Sequence, residues 1–344
     1  MKSISSTVIF SCLSVVMLFL FGMSDIAFAQ EENLPLMIEP IYPENHNPET
    51  VGYFDLSVNQ GERQTLEVRI TNQQDKEVLV SIKPANAFTH PSGGIIYEND
   101  IDSPDTRLLE NAVRVAEYIT VDETVTIPPR TSISIPIDLH VPEVEGQTFL
   151  GGILFTTYGE ENENQEEVED GTANFVIKTE TVHAVAVQMN LVNEVGSDFL
   201  LGNAGFIPET AQVYSEMTNH AQKIQDGITG TYFVTDGEGN ELFSGKFGPF
   251  NMAPNTAIRF PIRWGHEMLE DGKYTLHMEG LSGDKTFESS ETFTIENSDV
   301  EKYVEHTQTD LPQAQIEKGI PMWGWVIGAV LFGLIMFFIG RRRQ

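Results

Sequence analysis

Apolar and polar residues alternate with a period of two along much of the chain. Leu66, Val68 and Ile70 alternate with charged residues, and the segment 133–139 repeats the pattern with isoleucine and leucine. Successive side chains of a strand point to opposite faces, so this spacing buries one face and exposes the other. Turn-forming clusters at 72–75 and 91–94 separate the apolar segments. Short strands between turns predict a β-sandwich over residues 36–158.

The same alternation returns between residues 172 and 297. Val185, Val187, Met189 and Leu191 alternate with Ala184, Ala186, Gln188 and Asn190, and Phe260 and Ile262 begin another apolar face. The segment 236–240 (DGEGN) has the composition of a hairpin turn. We therefore expect a second β-sandwich here, which makes the fold all-β with two β-sandwich domains in tandem.

A helix signal interrupts the strand pattern of the first domain. In the segment Ser103-Pro104-Asp105, serine is a good helix cap and proline favours the first helical position. A short helix is therefore predicted directly after Ser103.

Two polar segments flank the second domain. Residues 159–171 (GEENENQEEVEDG) are rich in carboxylates and nearly free of apolar residues, which predicts a solvated linker and the domain boundary. Residues 298–319 are also polar and predict a stalk that is helical over part of its length at most.

Both ends of the chain are apolar. The run 8–23 follows Lys2 and closes at Ala27-Phe28-Ala29, which is typical of a signal peptide over residues 1–29. The run 320–340 is about 20 residues, or roughly 30 Å as a helix, and could cross a bilayer. We therefore expect one C-terminal transmembrane helix and a single-pass protein of the cell membrane.

Residues around the second run predict its orientation. Trp323 and Trp325 are expected at the outer headgroup level, where indole rings are favoured. Arg341, Arg342 and Arg343 follow at once and predict a cytoplasmic tail over residues 341–344, with the bulk of the chain outside the cell.

Composition narrows the possible partners. The formal net charge is −31 at pH 7, and such an acidic chain repels nucleic acid. The single cysteine, Cys12, lies in the predicted signal peptide, so the mature domains contain no disulfide and depend on apolar cores. This composition suits a secreted protein of Gram-positive bacteria.

The sequence carries no recognisable catalytic motif. Zinc-protease helices, serine elbows and phosphate-binding glycine loops are absent, and the eight histidines do not pair at metal-ligand spacing. We therefore predict a protein that is not an enzyme and that has no cofactor and no metal site.

Several segments together resemble the WxL-interacting proteins of Gram-positive bacteria. The segments at 52–56, 59–62, 66–72, 87–97 and 151–155 are similar to the peptidoglycan-binding domain of that family. The segments at 252–255 and 271–276 are similar to its host-binding domain. The resemblance implies two immunoglobulin-like domains that bind peptidoglycan, WxL surface proteins and host extracellular-matrix proteins.

The matching segments supply the candidate site residues. Sugar sites combine aromatic faces with amide, hydroxyl and carboxylate groups. The glycan-binding candidates are Tyr53, Asp55, Asn86, Thr89 and Tyr97. The partner-binding candidates are Pro254 and Asn255. For all of these candidates a structural role, in the core or in a turn, is the more common one.

These observations predict a membrane-anchored adhesion or scaffolding protein of the Gram-positive cell envelope. Two alternatives stay open. A wall-modifying hydrolase would need converging carboxylates in a deep cleft, whereas a spacer or assembly chaperone would present an unpaired apolar edge strand.

Overall fold

A computed structural model of the protein describes residues 36–158, 180–266 and 268–309. The first sandwich is built from strands β1 to β5 and β7 to β11. Their bounds are Leu36–Ile41 (β1), Phe54–Ser57 (β2), Arg63–Asn72 (β3), Val78–Thr89 (β4), Ile95–Glu98 (β5), Ile119–Thr120 (β7), Thr124–Ile127 (β8), Ser132–His140 (β9), Thr148–Tyr158 (β10) and Glu180–Asn190 (β11). A short strand, Thr106–Leu108 (β6), lies between β5 and β7 in the sequence.

Two sheets face each other in the first sandwich. One has the strand order β1-β3-β9-β7, and the other has the order β2-β11-β10-β4-β5, with β8 also paired to β4. In the antiparallel pair β3 and β9, Leu66 lies opposite Ile137 and Val68 lies opposite Ile135. These apolar residues are buried, while most of their neighbours in the sequence are exposed. The strands predicted from the alternation are therefore confirmed.

The second sandwich contains strands β12 to β18. Their bounds are Phe199–Ile207 (β12), Gln212–Asn219 (β13), Gln225–Thr235 (β14), Glu241–Met252 (β15), Thr256–Arg263 (β16), Gly272–Ser282 (β17) and Lys285–Ile295 (β18). The sheet β12-β13-β16-β6 faces the sheet β15-β14-β17-β18. Aromatic rings are frequent in the core between them, where Phe247 contacts both Phe260 and Phe287.

Strand β11 belongs to the first sandwich and not, as the sequence predicted, to the second. The sequence analysis put residues 185–191 in the second domain because they follow the acidic segment. The structure instead pairs β11 along its full length with β10, and in parallel with β2. Val185, Val187 and Met189 are buried in the core of the first sandwich.

Strand β6 forms where the sequence predicted a short helix. Thr106–Leu108 forms no helix but pairs antiparallel with β16, so a segment of the first half of the chain completes a sheet of the second sandwich. The buried Thr106 hydroxyl donates a hydrogen bond to the Thr89 carbonyl (2.7 Å), which fixes β6 against β4. Pairing with the distant strand β16 therefore outweighs the helix-capping tendency of Ser103 and Pro104.

The transmembrane part of the predicted fold is not supported. The described α-helix, Asn297–Thr309 (α1), is polar, and within residues 36–158, 180–266 and 268–309 no helix is long and apolar enough to span a bilayer. The fold is therefore corrected to an all-β architecture that has, in the described part of the chain, one polar α-helix and the short 3-10 helices Val115–Tyr118 and Pro208–Thr210. The signal peptide, the acidic linker and the run 320–340 with Trp323, Trp325, Arg341, Arg342 and Arg343 lie outside the described residues.

Candidate functional site

A cleft of about 460 Å³ lies between the two sandwiches, a volume in the range of small-ligand sites. We call it the inter-sandwich cleft. Its walls come from strands of the first sandwich on one side, and from the start of β14 and the end of β15 on the other. The lining residues are Tyr53, Ile95, Tyr97, Gln147, Thr148, Leu150, Ala186, Gln188, Asn190, Lys223, Ile224, Asp226 and Asn251.

Two tyrosines line the first-sandwich wall. Tyr97 lies on β5 above Gly152 of β10, where an added Cβ would come within 2.9 Å of the tyrosine ring. Burial raises the pKa of Tyr97, and the nearby Tyr53 raises it further. The Tyr97 phenol therefore stays neutral near pH 7, and its hydroxyl can donate as well as accept a hydrogen bond.

An amide cluster lies beside the tyrosines. The buried Asp55 carboxylate accepts hydrogen bonds from Asn190 Nδ2 (2.6 Å) and Gln188 Nε2 (3.3 Å) through one oxygen. Its other oxygen accepts from Asn47 Nδ2 and the Thr50 hydroxyl, both at 2.9 Å. Asp55 therefore does not offer its carboxylate to a ligand but orients two amides that line the cleft.

Charged side chains stand on the second-sandwich wall. Lys223 directly precedes Ile224 in the connection before β14, and Asp226 is the second residue of that strand. Asn251 lies near the end of β15. Asn219 Nδ2 holds this segment by donating to the Lys223 carbonyl (2.9 Å). Burial raises the pKa of Asp226, although the attraction of Lys223 lowers it in part.

Hydrogen bonds across the boundary hold the two walls together. The backbone N–H groups of Gln147 and Thr148 donate to the Gln222 carbonyl at 3.0 and 3.1 Å. The Gln222 side-chain amide returns a bond to the Thr148 carbonyl (2.9 Å). A small apolar cluster of Ala87, Leu150 and Ala253 supports this boundary, so the cleft has a defined width.

Comparison with protein families identifies the chain. The model of the WxL-interacting protein peptidoglycan-binding domain matches residues 36–157, and the model of the host-binding domain matches residues 172–305. The chain belongs to the WxL-interacting protein family. The inter-sandwich cleft of this family member is thus built from both matched regions, with Tyr53 and Tyr97 in the first and Lys223 and Asp226 in the second.

The remaining glycan-binding candidates of this WxL-interacting protein are engaged inside the structure. Asn86 is buried and bonds to the backbone of Asn99 (2.8 Å) and Ala116 (3.0 Å). The fully buried Thr89 hydroxyl contacts the Thr256 hydroxyl (2.6 Å) and accepts from the Ala253 N–H (2.9 Å). The structure therefore brings together Tyr53 and Tyr97, with Asp55 behind them, but not Asn86 or Thr89.

The two partner-binding candidates lie in the joint between the sandwiches. Pro254 and Asn255 are both buried. Asn255 has a positive φ of 48°, donates through Nδ2 to Gln222 (2.6 Å) and accepts the Leu109 N–H at its carbonyl (2.9 Å). Neither residue offers a surface to a partner in this conformation.

Another concave region of the WxL-interacting protein is open and shallow. A groove of about 500 Å³ crosses the face of β14, β17 and β18 between Glu279 and Glu288, over the paired glycines Gly230 and Gly280. It contains one aromatic ring, Phe287, and no amide side chain. Among the described residues no group of three or more histidine, cysteine, aspartate or glutamate side chains could hold a metal ion.

Solved structures show only distant likeness. A chaperone–tip adhesion subunit complex from the archaic Csu pili of Acinetobacter baumannii is 11% identical, with 76% of this chain and 99% of that chain covered and a TM-score of 0.35. A family 123 glycoside hydrolase from Clostridium perfringens is 10% identical, with coverages of 47% and 28% and a TM-score of 0.28. A search of curated proteins found no match.

Proposed function

We propose that this WxL-interacting protein is a non-catalytic binding protein of the Gram-positive cell envelope that holds peptidoglycan in the inter-sandwich cleft. The observation that carries the proposal is the placement of Tyr53 and Tyr97 in one cleft with the amides of Gln188 and Asn190. Both matched family models describe binding domains, which supports a role without turnover.

The chemistry of the cleft suits sugar rings. The faces of pyranose rings are weakly apolar and stack on aromatic side chains, whereas their hydroxyl and acetamido groups need donors and acceptors. Tyr53 and Tyr97 supply the aromatic surface, and Gln188, held by Asp55, supplies an oriented amide. Because Asp55 fixes that amide before a ligand arrives, binding loses less side-chain entropy.

The second sandwich is proposed to serve partner proteins as well. Its match to a host-binding domain supports WxL surface proteins and host extracellular-matrix proteins as partners. Pro254 and Asn255 are buried in the joint, so the partner surface is proposed to lie elsewhere on this sandwich.

The test is co-sedimentation of the full-length protein with purified cell wall. Tyr53→Ala and Tyr97→Ala should each weaken binding by about 3-fold to 10-fold, because each removes an aromatic contact of about 0.5–1.5 kcal/mol. Tyr158→Ala is the matched control, since Tyr158 is 65% exposed and outside the cleft. Failure of the wild-type protein to sediment with wall material would refute the proposal.

A further inference from the structure

We propose that the inter-sandwich cleft recognises the charged peptide of peptidoglycan in addition to its sugars, through Lys223 and Asp226. This inference rests on the function proposed above and names the part of the ligand that each wall contacts. Lys223 would bind a peptide carboxylate, and Asp226 would bind a peptide amine.

The two walls of the cleft differ in charge. Among the described residues, those that line the first-sandwich wall are neutral or apolar, from Tyr53 and Tyr97 to Gln188 and Asn190. Lys223 and Asp226 are the charged residues of the lining, and both lie on the second-sandwich wall within four positions of each other. The cleft therefore offers an uncharged surface opposite a dipolar one.

Neither charge is neutralised by a direct salt bridge within the described residues, although Lys223 attracts Asp226 at longer range. In the described part of the chain, the salt bridges of 4.0 Å or less involve neither Lys223 nor Asp226. Burial raises the pKa of Asp226, so its charged form is penalised in the free protein. A cationic ligand group would offset that penalty.

Peptidoglycan has a matching division of charge. Its amino-sugar rings are acetylated and largely neutral, whereas its short peptides carry free carboxylates and amines. A fragment that lays a sugar against the tyrosines would direct its peptide toward the opposite wall. The bonds of Gln222 to residues 147 and 148 fix the spacing of the two walls, so the recognition requires both sandwiches.

The experiment compares two soluble probes on the full-length protein by calorimetry. One probe is a disaccharide-peptide with a free amine and free carboxylates, and the other is the same disaccharide without the peptide. Each exposed ion pair should raise the affinity about threefold, so the two pairs together predict a preference of about tenfold for the first probe. Lys223→Gln and Asp226→Asn should each lower this ratio about threefold, and higher salt should lower it in the wild type.

Matched controls are Lys246→Gln and Asp284→Asn, which alter exposed residues of the second sandwich outside the cleft and should keep the ratio. Equal wild-type affinity for the two probes would overturn the inference and leave the proposed sugar site standing. An unchanged ratio in both cleft variants would also overturn it. Absence of binding to either probe would refute the proposed function itself, and the inference with it.

Discussion

The buried hydroxyl of Thr89 gives a direct test of how the two sandwiches are joined. Thr89 is fully buried, and its Oγ1 accepts the Ala253 N–H at 2.9 Å and contacts the Thr256 hydroxyl at 2.6 Å. Thr89→Val keeps the shape of the side chain but replaces the hydroxyl with a methyl group. The Ala253 N–H then has no acceptor, while Thr256 keeps its bond to the Ala253 carbonyl (2.8 Å).

The expected loss of stability follows from these contacts. A buried N–H without an acceptor costs about 1–3 kcal/mol, and the lost hydroxyl pair contributes about 0.5–1.5 kcal/mol. The new methyl group returns about 1 kcal/mol. We therefore expect the free energy of unfolding to fall by about 2 kcal/mol, with faster hydrogen exchange at residues 252–257, where the joint is opened.

Urea unfolding followed by far-UV circular dichroism measures the first quantity, and hydrogen exchange by mass spectrometry measures the second. Thr126→Val is the control, because Thr126 is an exposed threonine in strand β8. If Thr89→Val and Thr126→Val shift the free energy of unfolding equally, and residues 252–257 exchange as in the wild type, the hydroxyl does not hold the joint.

Three further substitutions test the cleft. Gly152→Ala should displace the Tyr97 ring, which lies 2.9 Å from the new Cβ, so it should weaken wall binding and lower the stability by about 1–3 kcal/mol. Gly196→Ala is the control, because Gly196 has open space around it, and it should change neither wall sedimentation nor the melting temperature. Asp55→Asn keeps one acceptor oxygen for four donors, so it should cost about 1–3 kcal/mol in urea unfolding and weaken glycan binding, whereas the exposed Asp102→Asn should not. Asp226→Asn should raise the free energy of unfolding at pH 7, because burial raises the folded-state pKa of Asp226 above its unfolded value, and the charged carboxylate therefore destabilises the native state at that pH. Its advantage should shrink as the pH falls through that raised pKa, since wild-type Asp226 becomes neutral as well; an Asp226→Asn protein less stable than wild type at pH 7 would contradict this reasoning.

Local patterns in the sequence predicted the strands because each strand buries one face. The alternation around Leu66 and Val68 specifies which side chains enter the core, and the structure places them there. The prediction of a helix after Ser103 was wrong because it used only a local signal, whereas the conformation of this segment depends on pairing with a distant strand. Capping is worth about 1 kcal/mol, and the ladder between β6 and β16 with the buried Thr106 bond outweighs it.

The cleft was harder to predict because its walls are distant in sequence. The family resemblance pointed to Tyr53 and Tyr97, whose role in glycan binding stays a prediction. The alternating pattern predicted Gln188 and Asn190 on the polar face of a strand. No local sequence pattern shows that this strand, β11, pairs with β10 on the other side of the acidic segment. Lys223 lies in the connection before β14 and Asp226 at the start of that strand, and no local pattern marks either residue, so only the assembled boundary reveals them.

The exchange of strands across the boundary limits how this protein can be divided. Ending the chain at residue 158 would remove β11, the neighbour of both β2 and β10. Starting at residue 172 would lose Thr106–Leu108 and expose the edge of β16. Chimeras between relatives therefore have to transplant both halves together, and recombination during evolution faces the same requirement.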